Sequence, residues 1–208
     1  MAIVGAPWSL NGLGFMHLFW APRRIDPFSG VEVAGLGACM MVRYDESPVG
    51  PYNELLYIPG KQTIGGKRAF FISKIYVDSE DSMLSGQANW GIPKELADFS
   101  IINTDKNSWR INVSREGMAF FSANVVARGF NFPVTTKLVP IPLLQKWEAN
   151  VFLTKFSGKG SGRFGKAEFK CLDQGLFADI SQFRSLATLA VNPFTLTFPK
   201  ALIHSAIH

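Results

Sequence analysis

Apolar and polar residues alternate over short stretches of this chain, and the pattern predicts β-strands along most of its length. In residues 110–114, Ile111 and Val113 would face a core while Arg110, Asn112 and Ser114 face solvent. Alternation of this kind is typical of antiparallel strands with one solvated face. Other runs rich in β-branched and aromatic residues and mostly bounded by turn formers are VEVAGLGACMMVRY (31–44), NELLYIP (53–59), RAFFISKIYVDS (68–79), AFFSANVVARG (119–129), ANVFLTKFSGKG (149–160), GRFGKAEFKCL (162–172) and FTLTFPKAL (194–202).

Helical signals are fewer and short. SEDSMLSGQAN (79–89) combines Ser79 as an N-cap with acidic residues in the first turn, and PIPLLQKWEAN (140–150) and DISQFRSLATLAV (179–191) each allow two or three turns. The chain contains no internal repeat, no long linker and no low-complexity tract. We therefore predict a single α+β domain over residues 1–208, mainly antiparallel β, with a curved sheet or β-barrel and a few helices.

Composition and charge narrow the class of protein. With 47% hydrophobic and 18% charged residues, the chain is far from the composition of disordered proteins. The net charge of +5 is scattered and forms no basic tract, so nucleic-acid binding is not expected. The apolar N-terminus lacks a basic start and is broken by Pro7, Gly12 and Gly14, so neither a signal peptide nor a membrane span is predicted and a cytoplasmic location is expected.

The sequence lacks the residues that several common types of functional site require. GKGSG (158–162) is followed by Arg163 and Phe164 where a phosphate loop needs lysine and a hydroxyl residue, so we expect a flexible hairpin turn. The three histidines and two cysteines have no paired spacing, so neither a metal nor another cofactor is predicted. What remains is the chemistry of carboxylates and amines.

A lone lysine in SGQANWGIPKELADFS (85–100) follows a proline and lies among apolar neighbours. If Lys94 were buried beside Trp90 and Ile92, the low dielectric would lower the pKa of its amine from about 10.4. A shift of about 3 units, or roughly 4 kcal/mol, would leave the amine substantially neutral at neutral pH. An alternative that these residues leave open is a turn with two solvated charges at Lys94 and Glu95.

The same segment resembles the central motif of the acetoacetate decarboxylase family, whose usual form is G-R-E-x-x-G-[FY]-P-K-K-L. The positions that match without a gap are Gly86, Gly91, Pro93, Lys94 and Leu96. KIYVDSEDSML (74–84) is similar to the strand and acidic turn that precede this motif, and GPYNELL (50–56) to the family's Gly-x-Tyr-x-Glu element. The resemblance implies a cone-like barrel and a homo-oligomer.

The resemblance also implies roles for individual residues. Lys94 would form a Schiff base with a ketone, and Glu54 would be its acid-base partner. We expect a small-molecule pocket whose substrate-binding residues are Tyr52, Trp90, Ile92, Glu95 and Arg43.

This sequence departs from the family pattern at the positions that surround the lysine. The second motif lysine is Glu95, and the family's aromatic residue before the proline is Ile92. The family's decarboxylases hold the substrate carboxylate with an arginine near the N-terminus, which APWSLNGLGF (6–15) lacks. Arg23, Arg24 or Arg43 could substitute, and the loss favours a bulkier or less acidic ketone.

Three functions follow. The first is a Schiff-base-forming lyase, either a decarboxylase or an aldolase-dehydratase. The second is a cyclase or isomerase of an apolar, specialised metabolite that uses the same pocket without an imine. The third is a non-catalytic small-molecule-binding protein on the same fold.

Overall fold

The computed structural model describes residues 3–136 and 142–205, and most of this part of the chain is β-structure. The helical segments within it are α1 (Glu80–Trp90) and a short 3-10 turn (Ile180–Gln182). The strands are β1 (Trp8–Ile25), β2 (Glu32–Glu46), β3 (Tyr52–Ile58), β4 (Lys61–Ile64), β5 (Lys67–Phe70), β6 (Lys74–Val77), β7 (Lys94–Leu96), β8 (Asp98–Asp105), β9 (Ser108–Arg115), β10 (Met118–Thr135), β11 (Pro142–Trp147), β12 (Asn150–Lys155), β13 (Ser157–Cys171), β14 (Arg184–Phe198) and β15 (Leu202–Ser205).

Two sheets organise these strands. The larger, ten-stranded in the described residues, has the order β7-β6-β3-β2-β1-β14-β13-β10-β9-β8, and its pairs are antiparallel except for β6 with β7. Its two outermost strands, β7 and β8, are separated only by Ala97, so the sheet curls into a nearly closed barrel. The smaller sheet has the order β15-β12-β11-β5-β4. The predicted α+β fold with a curved, mainly antiparallel sheet is confirmed.

Both faces of strands β1 to β3 are buried, and the alternation of side chains assigns each residue to one of two cores. Phe15 and Leu55 belong to one core, which β9 and β10 complete with Ile111 and other apolar residues. Val42 and Leu56 point to the opposite face and pack in the second core with residues from α1, β11 and β12. The second core contains the cavity described below.

The one α-helix of the described residues begins where the sequence predicts it. Ser79 is its N-cap and accepts a hydrogen bond from the Ser82 backbone N–H at 3.2 Å, and Glu80 and Asp81 occupy the first turn. The helix ends at Gly91, which adopts the left-handed conformation with φ 61°. No helix within residues 3–136 and 142–205 combines the length and the apolar composition that crossing a membrane requires.

Two of the predicted helices are strands. Within the second segment, Pro142–Trp147 forms β11 and pairs with β12, while residues 140–141 lie outside the described residues. In the third, only Ile180–Gln182 turns, and from Arg184 the chain extends as β14 between β1 and β13. Short apolar runs are compatible with either structure, and strand pairing decides between them.

The glycine-rich segment 158–162 lies inside β13, so the expected hairpin turn is wrong. Gly158, Gly160 and Gly162 pair across the strand with Leu196, Phe194 and Val191, respectively. A Cβ on Gly160 would lie 2.6 Å from the nearest side-chain atom, Cγ1 of Val191. These glycines therefore allow close packing of strands.

Gly91 gives a test of how tightly α1 is fixed to the smaller sheet. A Cβ at Gly91 would lie 2.5 Å from a ring carbon of Phe152, whereas a Cβ at Gly117, which also has a positive φ of 77°, would meet nothing within 4 Å. We expect Gly117→Ala to lower the free energy of unfolding by about 1 kcal/mol, and Gly91→Ala by about 1–3 kcal/mol more. Urea denaturation measures both, and equal losses would contradict the close packing of Phe152.

Candidate functional site

The Lys94 and Glu54 side chains meet on the cavity face of the larger sheet, on either side of strand β6. Glu54 is paired in register with Val77, and Lys94 with Ile75, two residues earlier on the same strand. Lys94 Nζ lies 2.9 Å from Glu54 Oε2, and the two side chains are 4% and 6% exposed. The sheet thus brings two residues that are distant in sequence into one buried ion pair.

The Lys94 ammonium group has polar neighbours besides Glu54. It donates a hydrogen bond to the Ser82 hydroxyl oxygen at 2.9 Å, and the nearby Tyr52 hydroxyl helps to raise the pKa of the amine. Nζ lies 5.1 Å from the centroid of the Tyr52 ring, within reach of a cation–π contact. On the other side of the pair, the Tyr44 hydroxyl donates to Glu54 Oε1 at 3.1 Å.

One face of helix α1 has small side chains, and these leave room for the Lys94 side chain. Ser82 and Gly86 lie one turn apart on the same side of the helix, and a Cβ on Gly86 would lie 2.8 Å from Cδ of Lys94. The Gln87 side chain donates from Nε2 to the Lys94 carbonyl at 2.8 Å and fixes the backbone of β7 against the helix. The glycine that begins the sequence motif therefore has a physical reason, since a side chain there would displace the amine.

The electrostatics of the pair correct the expectation from the sequence. Burial favours the neutral amine, but the charge of Glu54, the neighbouring Tyr52 and the hydrogen bond that the ammonium group donates to Glu54 outweigh burial, and the pKa of Lys94 is raised above its usual value. Burial also raises the pKa of Tyr52 to about 12. The resting site therefore holds an ammonium–carboxylate pair beside a protonated phenol.

The pair lies in the wall of an apolar cavity of about 160 Å³. Its polar side chains are few, and Glu54 and Lys94 are the two ionised groups that are buried in it. The apolar lining residues come mainly from strands β1, β2, β3 and β14 and from the motif segment before Lys94. They include Trp8, Leu10, Met16, Met40, Val42, Leu56, Ile58, Ile75, Trp90, Ile92, Leu143, Phe156, Val191, Phe194, Leu196 and Phe198. Such a cavity suits an apolar ligand with one reactive polar group.

Three of the predicted substrate-binding residues lie in this cavity and two do not. Tyr52, Trp90 and Ile92 line it. Glu95 points to the opposite face of β7, where it contacts Lys74 and Arg115. This position follows from strand alternation, and the carboxylate therefore leaves the Lys94 amine undisturbed.

Arg43 also faces away from the cavity. It alternates with the lining residues Val42 and Tyr44 on β2, is 45% exposed and pairs with Asp45 at 3.0 Å. Neither Arg43 nor Glu95 therefore lines this cavity.

No arginine from the described residues lines the cavity. Arg23 pairs with Glu32 at the surface, and Arg24 donates to the Tyr57 hydroxyl at 2.6 Å on the other side of the sheet. Lys159 is among the lining residues, but it is exposed and alternates with the cavity-facing glycines of β13. The carboxylate-binding arginine has no substitute here.

Sequence reasoning missed Tyr44 and Ser82. A signal for Tyr44 existed, because the hairpin of β2 and β3 places it directly opposite Tyr52. Ser82 is one turn before the motif glycine, which puts it on the helix face that meets the lysine. In the part of the chain that the structure describes, no three His, Cys, Asp or Glu side chains are grouped so that they could hold a metal ion.

These features define a barrel-like protein with a buried lysine–carboxylate pair in an apolar cavity, and comparison with known proteins identifies its family. A sequence profile of the acetoacetate decarboxylase (ADC) family matches residues 22–157, more than half of the chain. The chain belongs to the acetoacetate decarboxylase family, as its sequence motif suggested.

Individual relatives are distant. The acetoacetate decarboxylase of Legionella pneumophila is 13% identical and superposes with a TM-score of 0.74 over 97% of this chain and 88% of that one. The enduracididine biosynthesis enzyme MppR, solved with the condensation product of pyruvate and imidazole 4-carboxaldehyde, is 16% identical, with a TM-score of 0.69 over 99% of this chain and 92% of that one. At these identities the likeness is one of fold.

A plant protein shares more sequence over a shorter region. Protein NEOXANTHIN-DEFICIENT 1 of Oryza sativa subsp. japonica is 30% identical over an alignment of 112 residues, and the match covers 49% of this chain and 36% of the rice protein. The chain therefore matches little more than a third of the length of that relative.

Replacement of Glu54 tests the electrostatic balance at Lys94. In Glu54→Gln, burial of the amine remains while the compensating charge is lost, so the pKa of Lys94 should fall below its usual value. More of the amine is then neutral at neutral pH, and we expect its reductive methylation by formaldehyde and a borane to be at least about tenfold faster than in the wild type. Peptide mass spectrometry measures the labelling.

Glu95→Gln is the matched control, because Glu95 is adjacent in sequence but lies on the other face of β7. Its labelling at Lys94 should equal that of the wild type. Slower labelling of Lys94 in Glu54→Gln would show that the carboxylate does not stabilise the ammonium form.

Proposed function

We propose that this protein is a Schiff-base-forming lyase that acts on an apolar ketone, with Lys94 as nucleophile and Glu54 as acid-base partner. The observation that carries the proposal is the 2.9 Å contact between Lys94 Nζ and Glu54 Oε2 inside an apolar cavity. Membership of the acetoacetate decarboxylase family supports the class of reaction. The lysine and the glutamate both fall on the family's motif elements.

The chemistry begins with a proton transfer within the pair. Glu54 takes a proton from the Lys94 ammonium group, and the neutral amine attacks the ketone carbon. Glu54 then protonates the hydroxyl of the carbinolamine, which leaves as water, and a protonated imine remains. In a retro-aldol cleavage, the Glu54 carboxylate takes the proton of the β-hydroxyl and the bond between the α and β carbons breaks. The β fragment leaves as a carbonyl compound, and the imine accepts the electron pair to form an enamine. Protonation of the enamine and addition of water release the product and restore the amine.

The apolar wall favours this proton transfer once a substrate is present. An uncharged ketone that fills the cavity displaces water, and a lower local dielectric favours the neutral amine and neutral acid over two separated charges. The ketone oxygen also competes for the ammonium N–H bonds. Substrate binding is therefore expected to activate a lysine that is protected by protonation in the free protein.

The substrate class follows from which charges face the cavity. A β-keto acid would bring a carboxylate into a space that already contains Glu54 and has no arginine among its described lining residues. Burying such an unpaired carboxylate is costly. We therefore propose a bulkier ketone without a carboxylate near the reacting carbon, and cleavage of the aldol or dehydration type before simple decarboxylation. The condensation product bound to MppR is consistent with imine chemistry other than decarboxylation on this fold.

A second candidate is a cyclase or isomerase that uses the ammonium group of Lys94 only as an acid. The observation in its favour is that the amine pairs with Glu54 and donates a hydrogen bond to Ser82, which stabilises the protonated form. The rice relative is named for a deficiency in neoxanthin, and an apolar metabolite would suit the apolar walls of this cavity. Such a substrate would need acid-base groups and a shaped apolar wall, but no imine.

Reductive trapping distinguishes the two candidates. The protein is incubated with cyclohexanone and borohydride, and the modified peptide is identified by mass spectrometry. We expect a cyclohexyl adduct on Lys94 that forms faster as the pH rises, because attack requires the neutral amine and the pKa of Lys94 is raised. Acetoacetate in place of cyclohexanone should give less adduct, since the cavity does not pair its carboxylate.

The control is Lys94→Met, which keeps the length and apolar character of the side chain but removes the amine. Adducts at exposed lysines should persist in this variant while the Lys94 adduct disappears. Modification of exposed lysines without any adduct at Lys94 in the wild type would contradict the lyase proposal and favour the cyclase or isomerase.

A further inference from the structure

Tyr44 contacts the catalytic candidate Glu54 on the side away from the lysine. Its hydroxyl donates to Oε1 at 3.1 Å, while Oε2 of the same carboxylate faces Lys94 at 2.9 Å. The tyrosine is buried, its ring is 4.6 Å from that of Tyr52 and 5.8 Å from that of Phe194, and these contacts fix its orientation. Burial and the nearby carboxylate raise the pKa of Tyr44 well above its usual value, so it remains a hydrogen-bond donor.

We propose that Tyr44 is a positioning residue that determines where the shared proton of the Lys94–Glu54 pair resides. By donating to Oε1, it stabilises the ionised carboxylate and leaves Oε2 as the site that faces the amine. The proton is thereby held on Lys94 in the free protein. The inference rests on the proposed function for its catalytic consequence, because the same hydrogen bond then opposes the proton transfer that starts imine formation.

The effect has a distinctive dependence on pH. With one proton in the pair, either Lys94 is an ammonium group and Glu54 a carboxylate, or both groups are neutral. A hydrogen bond to the carboxylate favours the first arrangement over the second. When the pair loses its last proton, Glu54 is ionised and Lys94 is neutral in either case, so Tyr44 no longer affects the amine. Removing the hydroxyl should therefore increase amine reactivity at neutral pH and leave it unchanged at high pH.

Few ionisable groups among the described residues face the cavity that contains Lys94 and Glu54. β2 contributes Tyr44, β3 contributes Tyr52 and Glu54, β7 contributes Lys94, and β13 contributes the exposed Lys159. The neighbours from α1, β6 and β14 are Ser82, Ile75, Val77 and Phe194, and none of them titrates. The pH dependence of Lys94 labelling thus reports on this one cluster.

The experiment compares the wild type with Tyr44→Phe by reductive methylation of the full chain with formaldehyde and a borane, from about pH 6 to about pH 11. Labelling at Lys94 is normalised to the exposed Lys106 in the same sample. We expect Tyr44→Phe to label about tenfold faster than the wild type at neutral pH, a ratio that corresponds to about one unit in a protonation equilibrium. The ratio should fall towards one as the pH rises.

Tyr76→Phe is the matched control, because the Tyr76 hydroxyl donates a hydrogen bond to the Leu176 carbonyl at 3.0 Å on the opposite face of the sheet. It should label Lys94 at the wild-type rate at every pH. If Tyr44→Phe does not fold, 3-fluorotyrosine at position 44 is the alternative. As a stronger donor it should slow labelling at neutral pH.

Equal labelling of the wild type and Tyr44→Phe at neutral pH, or a gain that persists at high pH, would overturn the proposal. In Tyr44→Phe combined with Glu54→Gln, labelling should equal that of Glu54→Gln alone, because Tyr44 acts through the carboxylate. Formaldehyde labelling does not depend on ketone turnover. Failure of cyclohexanone trapping with the expected labelling ratios would therefore contradict only the lyase, and normal trapping with unchanged ratios only the role of Tyr44.

Discussion

The site depends on one buried ion pair, formed by Lys94 and Glu54 in the wall of an apolar cavity. Removing two charges from water is costly, and their attraction offsets that cost only with good geometry and further hydrogen bonds. Both conditions are met here, since the amine has the hydroxyls of Ser82 and Tyr52 as additional partners and the carboxylate has Tyr44. The buried pair consequently carries no net charge, and its shared proton resides on Lys94 in the free protein. The amine is therefore not activated as a nucleophile before substrate binds.

The architecture around the pair accounts for its position. Strand alternation sends Glu54 and Lys94 to one face of the sheet and the neighbouring Glu95 to the other, so a single carboxylate meets the amine. Helix α1 closes the other side with Ser82 and Gly86, whose small side chains leave room for the lysine stem. A cavity with apolar walls and one such polar cluster can bind and orient a ketone through shape, and reserve its few polar groups for the reaction.

Much of this arrangement could be predicted from the sequence, because it depends on local patterns. The strands follow from alternation in segments such as 108–117, and α1 follows from Ser79 and the acidic residues after it. The motif glycine and lysine indicated the family and the candidate nucleophile. Strand β11 and the first half of β14 were predicted as helices because their apolar runs fit either structure, and only pairing with distant strands resolves them.

The sequence could not show how burial and the charges of distant residues balance at Lys94. The prediction that burial lowers the pKa of Lys94 considered desolvation alone, while the position of Glu54 relative to the amine is set by strand register across β6. The sequence also could not show that Arg43 points away from the cavity, since the face that it occupies depends on the register of β2. Strand pairing determines which charged side chains face one another across a sheet, and a local sequence motif carries no information about that pairing.

Nuclear magnetic resonance of the lysine side chains can show directly where the proton of the buried pair resides. In protein labelled with ¹⁵N-lysine, we expect one Nζ resonance that has the ammonium shift at neutral pH, exchanges its protons slowly with water, and disappears in Lys94→Met. A neutral-amine shift for Lys94 at neutral pH, or exchange as rapid as that of exposed lysines, would contradict a buried pair whose proton resides on the lysine.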